Sequence, residues 1–379
     1  MFLQTYGVTD ALCLRLVRKY GNNAKSILEG DPYRIIRDVK GIGFKTADKI
    51  ALNLGLSSNG PDRIDAGILH TQQEAEDEGH THMDRREIAL KATELLETPT
   101  EGVEKRIQTL LEDGELISTQ SDWLQLPSSW RAEDNIARSL QSVLKTQSSL
   151  PSILVEKAIE WAQEKAGFGF ADAQTNGIRN ALSSKVAILT GGPGTGKTTI
   201  LRAIVSILKA KKAKVMLAAP TGRAARRMAE SASHFAQTVH RLLKFDPGHG
   251  GFTVNEKSPL VCDFLIMDET SMLDIRLASA LFRSVPPHAH ILLVGDADQL
   301  PSVGSGNVLK DIIDCDLFSV TRLQVTFRQA ENSGIVNLAH GILAGKGSPP
   351  SPVDSLDKLN PKQDVHFIRA VTPEICVEV

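Results

Sequence analysis

Four short apolar runs, VAILTG, KVMLAAP, FLIMDE and AHILLVGD, recur between Val186 and Asp296, separated by stretches with helical periodicity. Runs of this length without polar alternation predict strands buried on both faces, and their alternation with helices predicts a mostly parallel sheet covered on both sides. The pattern begins after Phe170. Upstream the chain reads as helices. TDALCLRLVRKYG carries Leu12, Leu16 and Val17 as its apolar positions and stops at Gly21, and KTADKIALNLG repeats this with Ile50 and Leu54 before Gly55. DRREIALKATELLE and EGVEKRIQTLLEDG are helical too, and LISTQSDWLQLP then reads as a small hairpin; helices closed by a hairpin suggest a winged-helix unit. SSLPSILVEKAI, with Pro151, reads as a linker. The Pro/Ser-rich residues 347–361 read as a connector, after which DVHFIRAV opens a further strand shortly before the chain stops, as expected of a cut in a longer protein. The expected division is 1–60, a helical region; 61–150, helical and winged-helix-like; 151–346, the domain of alternating strands and helices; and 347–379, a connector with the start of another domain.

Composition narrows the class. Of 379 residues 41% are hydrophobic, and 43 Lys+Arg nearly balance 45 Asp+Glu, which excludes a disordered chain and a uniformly basic nucleic-acid coat. The balance hides blocks. Residues 1–60 carry nine Lys/Arg against five Asp/Glu, residues 61–130 six against sixteen, and residues 201–245 ten against one, so any nucleic-acid contact is local. Cys13, Cys262, Cys315 and Cys376 lie far apart without a CxxC pair, which argues against a disulfide framework or zinc ribbon. No stretch of about 18 apolar residues and no signal peptide is present, so neither a membrane span nor membrane association is expected and a cytoplasmic location is.

The sharpest chemical signal is Gly191-Gly192-Pro193-Gly194-Thr195-Gly196-Lys197-Thr198, a GxxxxGK[ST] match directly after one predicted strand and before a predicted helix. Its glycines let backbone N–H groups and the helix N-terminus face an anion, Lys197 brings a point charge to β/γ-phosphates, and the Thr198 hydroxyl can ligate Mg²⁺. Asp268 and Glu269 end the strand FLIM: Asp268 would hold the metal through water and Glu269 could polarise an attacking water. Asp296, Asp298 and Gln299 end the next strand at the same edge, with Gln299 placed to touch a γ-phosphate.

GGPGTGKTT, APTGRAA, FLIMDETSML, GDADQLPSVGSGNVLKD and VTFRQAENSGIVNLAHGI, in this order, resemble motifs I to IV of RecD-like superfamily 1 DNA helicases. The resemblance implies a RecA-like α/β P-loop domain and ATP with Mg²⁺ as cofactors. It implies nucleotide contacts along the P-loop to Thr199, adenine reading by Gln174, a γ-phosphate contact from Arg328, and single-stranded DNA and duplex junctions as partners. Pro220, Thr221, Arg223 and His240 fall in the basic block, where such enzymes touch single-stranded DNA; His240 or Phe245 offers a stacking face, while Arg226 and Arg227 either join in or solvate a helix. The N-terminal region resembles the tandem helix–hairpin–helix of the longer RecD-like enzymes through LQTYGV, DPYRIIRDVKGIGFKTADKIALNLG and GHTHM. There Gly41 and Gly43 free backbone N–H groups beside Lys45 for a DNA phosphate. His70, His80 and His82 read as surface histidines. Motifs V and VI, with a further arginine, are absent. The resemblance implies 5′–3′ translocation and unwinding, in recombination or repair, for the full-length family member. A truncated DNA- and nucleotide-binding module without unwinding, and a P-loop ATPase acting on proteins, stay open beside it.

Overall fold

The computed structural model describes residues 9–39, 41–119, 122–248, 250–323, 334–346, 348, 351–353 and 364–368. They pack as two compact units, one reaching to Asp134 and taking in Asp274–Arg276 and Ser302–Gly306, the other formed by Asn135–Leu273, Leu277–Pro301 and the residues from Asn307 on.

The first unit opens with four short helices, α1 (Asp10–Tyr20), α2 (Ala24–Gly30), α3 (Arg34–Asp38) and α4 (Phe44–Asn53). Leu12 and Leu16 of α1 point inward, but Val17 is 51% exposed: one step past Leu16 turns a side chain about 100° around the helix, off the buried stripe. Then follow α5 (Pro61–Asp77), β1 (Met83–Asp84), α6 (Arg85–Leu96), α7 (Thr100–Glu112), β2 (Ile117–Ser118) and β3 (Trp123–Gln125). Pro61 opens α5 at a position whose N–H has no helical partner, and Asp84 caps α6 by accepting from the Arg86 N–H at 2.8 Å. The strands form an antiparallel sheet in the order β1-β3-β2. Helix, strand, two helices and a hairpin is the winged-helix order. One cluster of buried residues runs from Leu12 to Leu124, so the segments before and after residue 60 share a core. Arg63 ties them: its guanidinium grips both oxygens of Asp48 at 2.8 and 3.0 Å and donates to the carbonyls of Ser58 and Leu96, while Tyr33 Oη donates to the same Asp48. His70, expected at the surface, is half-buried and stacks on Phe44 at 5.3 Å.

Helix α8 (Pro127–Lys145) starts before the unit border at Asp134 and ends beyond it. The second unit continues with α9 (Val155–Ala166), α10 (Asp172–Ser183), β4 (Val186–Gly191), α11 (Lys197–Ala210), β5 (Val215–Ala219), α12 (Gly222–Ala232), β6 (Ala236–Thr238), α13 (Val239–Leu242) and the hairpin strands β7 (Phe245–Asp246) and β8 (Gly251–Phe252). After these come β9 (Phe264–Met267), α14 (Ile275–Ser284), β10 (His290–Gly295), α15 (Val308–Asp314), β11 (Ser319–Leu323), α16 (Gly334–Leu343), β12 (Pro352–Val353) and β13 (Phe367–Ile368). Six strands form one all-parallel sheet in the order β11-β4-β10-β9-β5-β6. The four central strands are the four apolar runs. The edge strands AQT and SVTRL are half-buried and carry polar residues, which is why no apolar run announces them. Ile178, Leu189, Ile204, Leu217, Phe264 and Leu292 belong to the core between this sheet and its helices. Because every strand runs the same way, the loops after β4, β5, β9 and β10 leave at one edge, where parallel α/β sheets hold their ligands. No helix among the described residues is long and apolar enough to cross a membrane.

Candidate nucleotide site and nucleic-acid interface

The loop from Gly191 to Gly196 turns from β4 into α11. Gly194 and Gly196 sit at φ of 76° and 90°, a left-handed region that a Cβ disfavours and that the wrapped loop requires. Thr195 is buried and donates from Oγ1 to the Gly192 carbonyl at 2.8 Å, pinning the loop across Pro193. The Lys197 ammonium folds over the same loop, donating to the Gly192 carbonyl at 2.9 Å and to that of Gly191.

A cleft of about 450 Å³ opens beside this loop. Lys197 and Thr198 line one wall, and Asp268, Glu269 and Gln299 come to it from the ends of β9 and β10. Asp268 is largely shielded from water, and burial pushes its carboxyl up to about 6, with the neighbouring Glu269 charge adding to the rise and the Glu269 N–H and Lys197 opposing it. A hydroxyl and a carboxylate are hard oxygen donors of the kind Mg²⁺ takes, so Thr198 and Asp268, facing one cleft, fit that ion. Glu269 lies at φ 52°, ψ 42°, a left-handed conformation costing a residue with a side chain about 1–2 kcal/mol. Strain of this kind persists where surrounding structure imposes it, often at functional positions. Gln299 is exposed, and its carboxamide oxygen accepts from Ser271 Oγ at 3.4 Å.

Gln174 stands in the first turn of α10 and is 5% exposed. Its carboxamide oxygen accepts from the Ala171 N–H at 3.1 Å, so it caps its own helix, and the residue does not line the cleft. Pro220 and Thr221 follow β5, and Thr221 Oγ1 caps α12 through the Ala224 N–H at 3.2 Å. Thr221 and Arg223 line the same cleft as Lys197. His240 is exposed and packs with Phe245 and Phe252 of the β7–β8 hairpin, at centroid distances of 6.0 and 5.7 Å. In the first unit Gly41 takes φ 80°, which favours glycine, whereas Gly43 lies at φ −94° in open space, so only a close ligand would require it to lack a side chain. Lys45 is exposed in the first turn of α4.

Residues 1–82 match the family described as the ATP-dependent RecD2 DNA helicase HHH domain, and residues 174–305 match one described as an AAA domain. The ATP-dependent RecD2 DNA helicase of Deinococcus radiodurans is 33% identical over 358 residues, which cover 91% of this chain and 49% of that protein. The RecBCD enzyme subunit RecD of Mycobacterium tuberculosis is 33% identical over 270 residues, covering 64% of this chain and 45% of the subunit. The chain is RecD-like. It spans about half the length of the curated relatives it matches. A solved Pif1 helicase from Candida albicans overlaps 46% of the RecD-like chain and 44% of its own at 24% identity, with a TM-score of 0.34.

In this RecD-like chain the structure brings Lys197, Thr198, Asp268, Glu269 and Gln299 to one cleft and leaves Gln174 off it. Arg328, expected at the γ-phosphate, lies outside the described residues. Arg227, which the sequence leaves open between DNA contact and a solvated helix face, lines the cleft with Arg223. Residues three and four apart on a helix both neighbour one another, so the spacing from Arg223 admits Arg226 as well as Arg227, and the packing alone places Arg227 at the cleft.

Proposed function

We propose that this chain is the nucleotide-hydrolysing portion of an ATP-dependent DNA helicase that moves 5′ to 3′ along single-stranded DNA and opens duplex junctions in recombination or repair. The observation that carries this reading is the single cleft holding Lys197, Thr198, Asp268, Glu269 and Gln299 together. Backbone N–H groups of residues 194–196 and the N-terminus of α11 hold the phosphates of ATP, and Lys197 leaves its carbonyl partners to meet the β/γ-oxygens. Thr198 and Asp268 hold Mg²⁺, which when bound offsets phosphate charge. Glu269 takes the proton of the attacking water, and Gln299 orients water or γ-phosphate. Gly41, Gly43 and Lys45 hold a DNA phosphate without reading bases, and the Pro220–Arg223 turn and the His240 ring cluster follow a single strand.

Lys197→Ala and Glu269→Gln, placed in the chain extended to the length of its relatives, test the reading by DNA-stimulated ATP hydrolysis. Lys197→Ala is expected to lose ATP binding and turnover, and Glu269→Gln to keep binding while turnover falls by about 10²-fold or more. Unchanged turnover in both folded variants would remove the assignment. Among the described residues there is one parallel P-loop sheet, which favours a second reading for these 379 residues alone: nucleotide and DNA binding, with slow hydrolysis and no strand separation. Unwinding by residues 1–379 under ATP, absent in Lys197→Ala, would exclude it.

A further inference from the structure

The basic block over residues 201–245 divides in the fold. Arg223, Arg226 and Arg227 stand on α12, which starts at the edge of the sheet that carries the cleft. Lys209, Lys211, Lys212 and Lys214 fall at the end of α11 and in the turn into β5, which puts them at the opposite edge, where the parallel strands begin. Five residues of β5 at 3.3 Å each set the two edges about 16 Å apart, so no role at the cleft employs these lysines. All four are exposed, and among the described residues none pairs with a carboxylate; Lys209 donates to the Ser233 carbonyl at 3.4 Å.

Two apolar side chains surface beside them. Phe235, between α12 and β6, and Val261, three residues before β9, are each 68% exposed. Strands β9, β5 and β6 are neighbours in the sheet, so the segments that carry Val261, Lys214 and Phe235 enter it at one corner. Polar contacts tie these segments together: His234 Nε2 lies 3.1 Å from the Val215 carbonyl, and the Asp263 carboxylate accepts from the Lys214 N–H at 2.8 Å and from Ser149 Oγ at 3.0 Å. Even with Asp263 and Glu230 counted against the four lysines, the corner is net positive.

We propose that this corner is a docking surface for an acidic peptide segment of a partner protein, one that carries apolar side chains among its carboxylates. The inference does not draw on the nucleotide reading. Four ammoniums within six residues attract an anionic chain and speed its encounter. Exposed apolar side chains rimmed by charge mark interaction surfaces, and a peptide of this kind satisfies both features, its carboxylates meeting the lysines while its apolar groups cover Phe235 and Val261. Nucleic acid fits less well. A duplex offers phosphates but keeps its bases stacked inside, which leaves Phe235 and Val261 in water. Single strands are bound by successive aromatic platforms, whereas the described residues of this corner present one exposed ring. The exposed cations are all lysines, hydrated point charges without the planar fork of arginine that grips phosphate.

Fluorescence anisotropy of a labelled synthetic peptide, Asp-Glu-Asp-Phe-Asp-Glu-Leu, titrated with the 379-residue chain tests this, with a labelled oligothymidine in parallel. Saturable peptide binding is expected. Phe235→Ser should weaken it about tenfold, the loss of one aromatic contact. Lys211→Glu with Lys212→Glu should weaken it by about tenfold or more at low salt, since attraction turns to repulsion, and by less as salt screens both. A peptide with Gly in place of Phe and Leu should bind the wild-type chain about tenfold more weakly, a comparison made on one protein and independent of its stability. The three substituted side chains are exposed, so the changes do not threaten the fold. Absence of saturable binding, binding indifferent to both variants, or equal binding of the two peptides would overturn the proposal. So would a loss of oligothymidine affinity in both variants as large as the peptide's, which would make the corner a nucleic-acid site.

Discussion

His290 shows how a single ring is held neutral inside the α/β unit. It is 4% exposed and stacks on Phe264 at 5.7 Å. Nδ1 lies 2.8 Å from the Ser184 carbonyl, which can only accept, so Nδ1 carries the proton and Nε2 accepts from Ser148 Oγ at 2.6 Å. Burial lowers its pKa below the ordinary histidine value; the Ser184 carbonyl opposes this, and the Lys185 charge adds to it. A histidine with a lowered folded pKa contributes stability above its unfolded pKa, about 6.5, and loses it as pH falls below that value. Urea midpoints of wild type and His290→Gln, compared at pH 7.5 and 5.5, should therefore converge as the pH drops. A constant gap would show that the ring does not titrate in this window. The residue pattern made Lys197 and Asp268 legible because their motifs stand directly on strands. Nothing local marked His290, whose hydrogen-bond partners lie more than 100 residues away.

At the scale of elements, the helices were readable but their crossings were not. Gly67 sits in α5, where helical propensity alone disfavours glycine by about 1 kcal/mol. The packing explains it. A Cβ built at Gly67 comes within 2.7 Å of Leu96 Cδ2 and 2.8 Å of Cδ1, so the end of α6 presses directly on the α5 backbone. Gly67→Ala is expected to destabilise the first unit by about 1–3 kcal/mol through overpacking, despite its better propensity. In urea unfolding the Gly67→Ala/Leu96→Ala double variant should lose less than the sum of the two single changes, since the two side chains compete for one space. Stabilisation by Gly67→Ala alone would mean that Leu96 moves aside at no cost. The P-loop illustrates the opposite case: GxxxxGK[ST] specifies its own backbone, because its glycines serve a turn closed within eight residues.

For the whole molecule, two units with separate buried clusters predict two unfolding steps. Trp123 and Trp130 report the first unit and Trp161 the second, so single-tryptophan variants separate the steps by fluorescence. If the α/β unit binds ATP with Mg²⁺ as proposed, the ligand should raise only the Trp161 midpoint, by mass action on the folded state. DNA should raise the midpoint reported by Trp123 or Trp130 if the turn at Gly41 holds a phosphate. A single transition, shifted as one by either ligand, would show that the units unfold together.

From the sequence alone came the four central strands, the P-loop, the paired carboxylates and the helical region with its hairpin, since each is encoded by neighbours within about a dozen residues. Strand direction was implied by the helices between strands, and so was the gathering of Lys197, Asp268 and Gln299 at one edge. Only the tertiary structure decided which faces met. It turned Arg223 and Arg227 toward the cleft and kept Gln174 for capping. It set Phe168 and Phe170 beside Thr199, and joined the segments around residue 60 through Arg63 and Asp48. The reason is physical: periodicity says which side of a helix is buried or exposed, but what lies opposite that side is settled by the packing of segments distant in the chain.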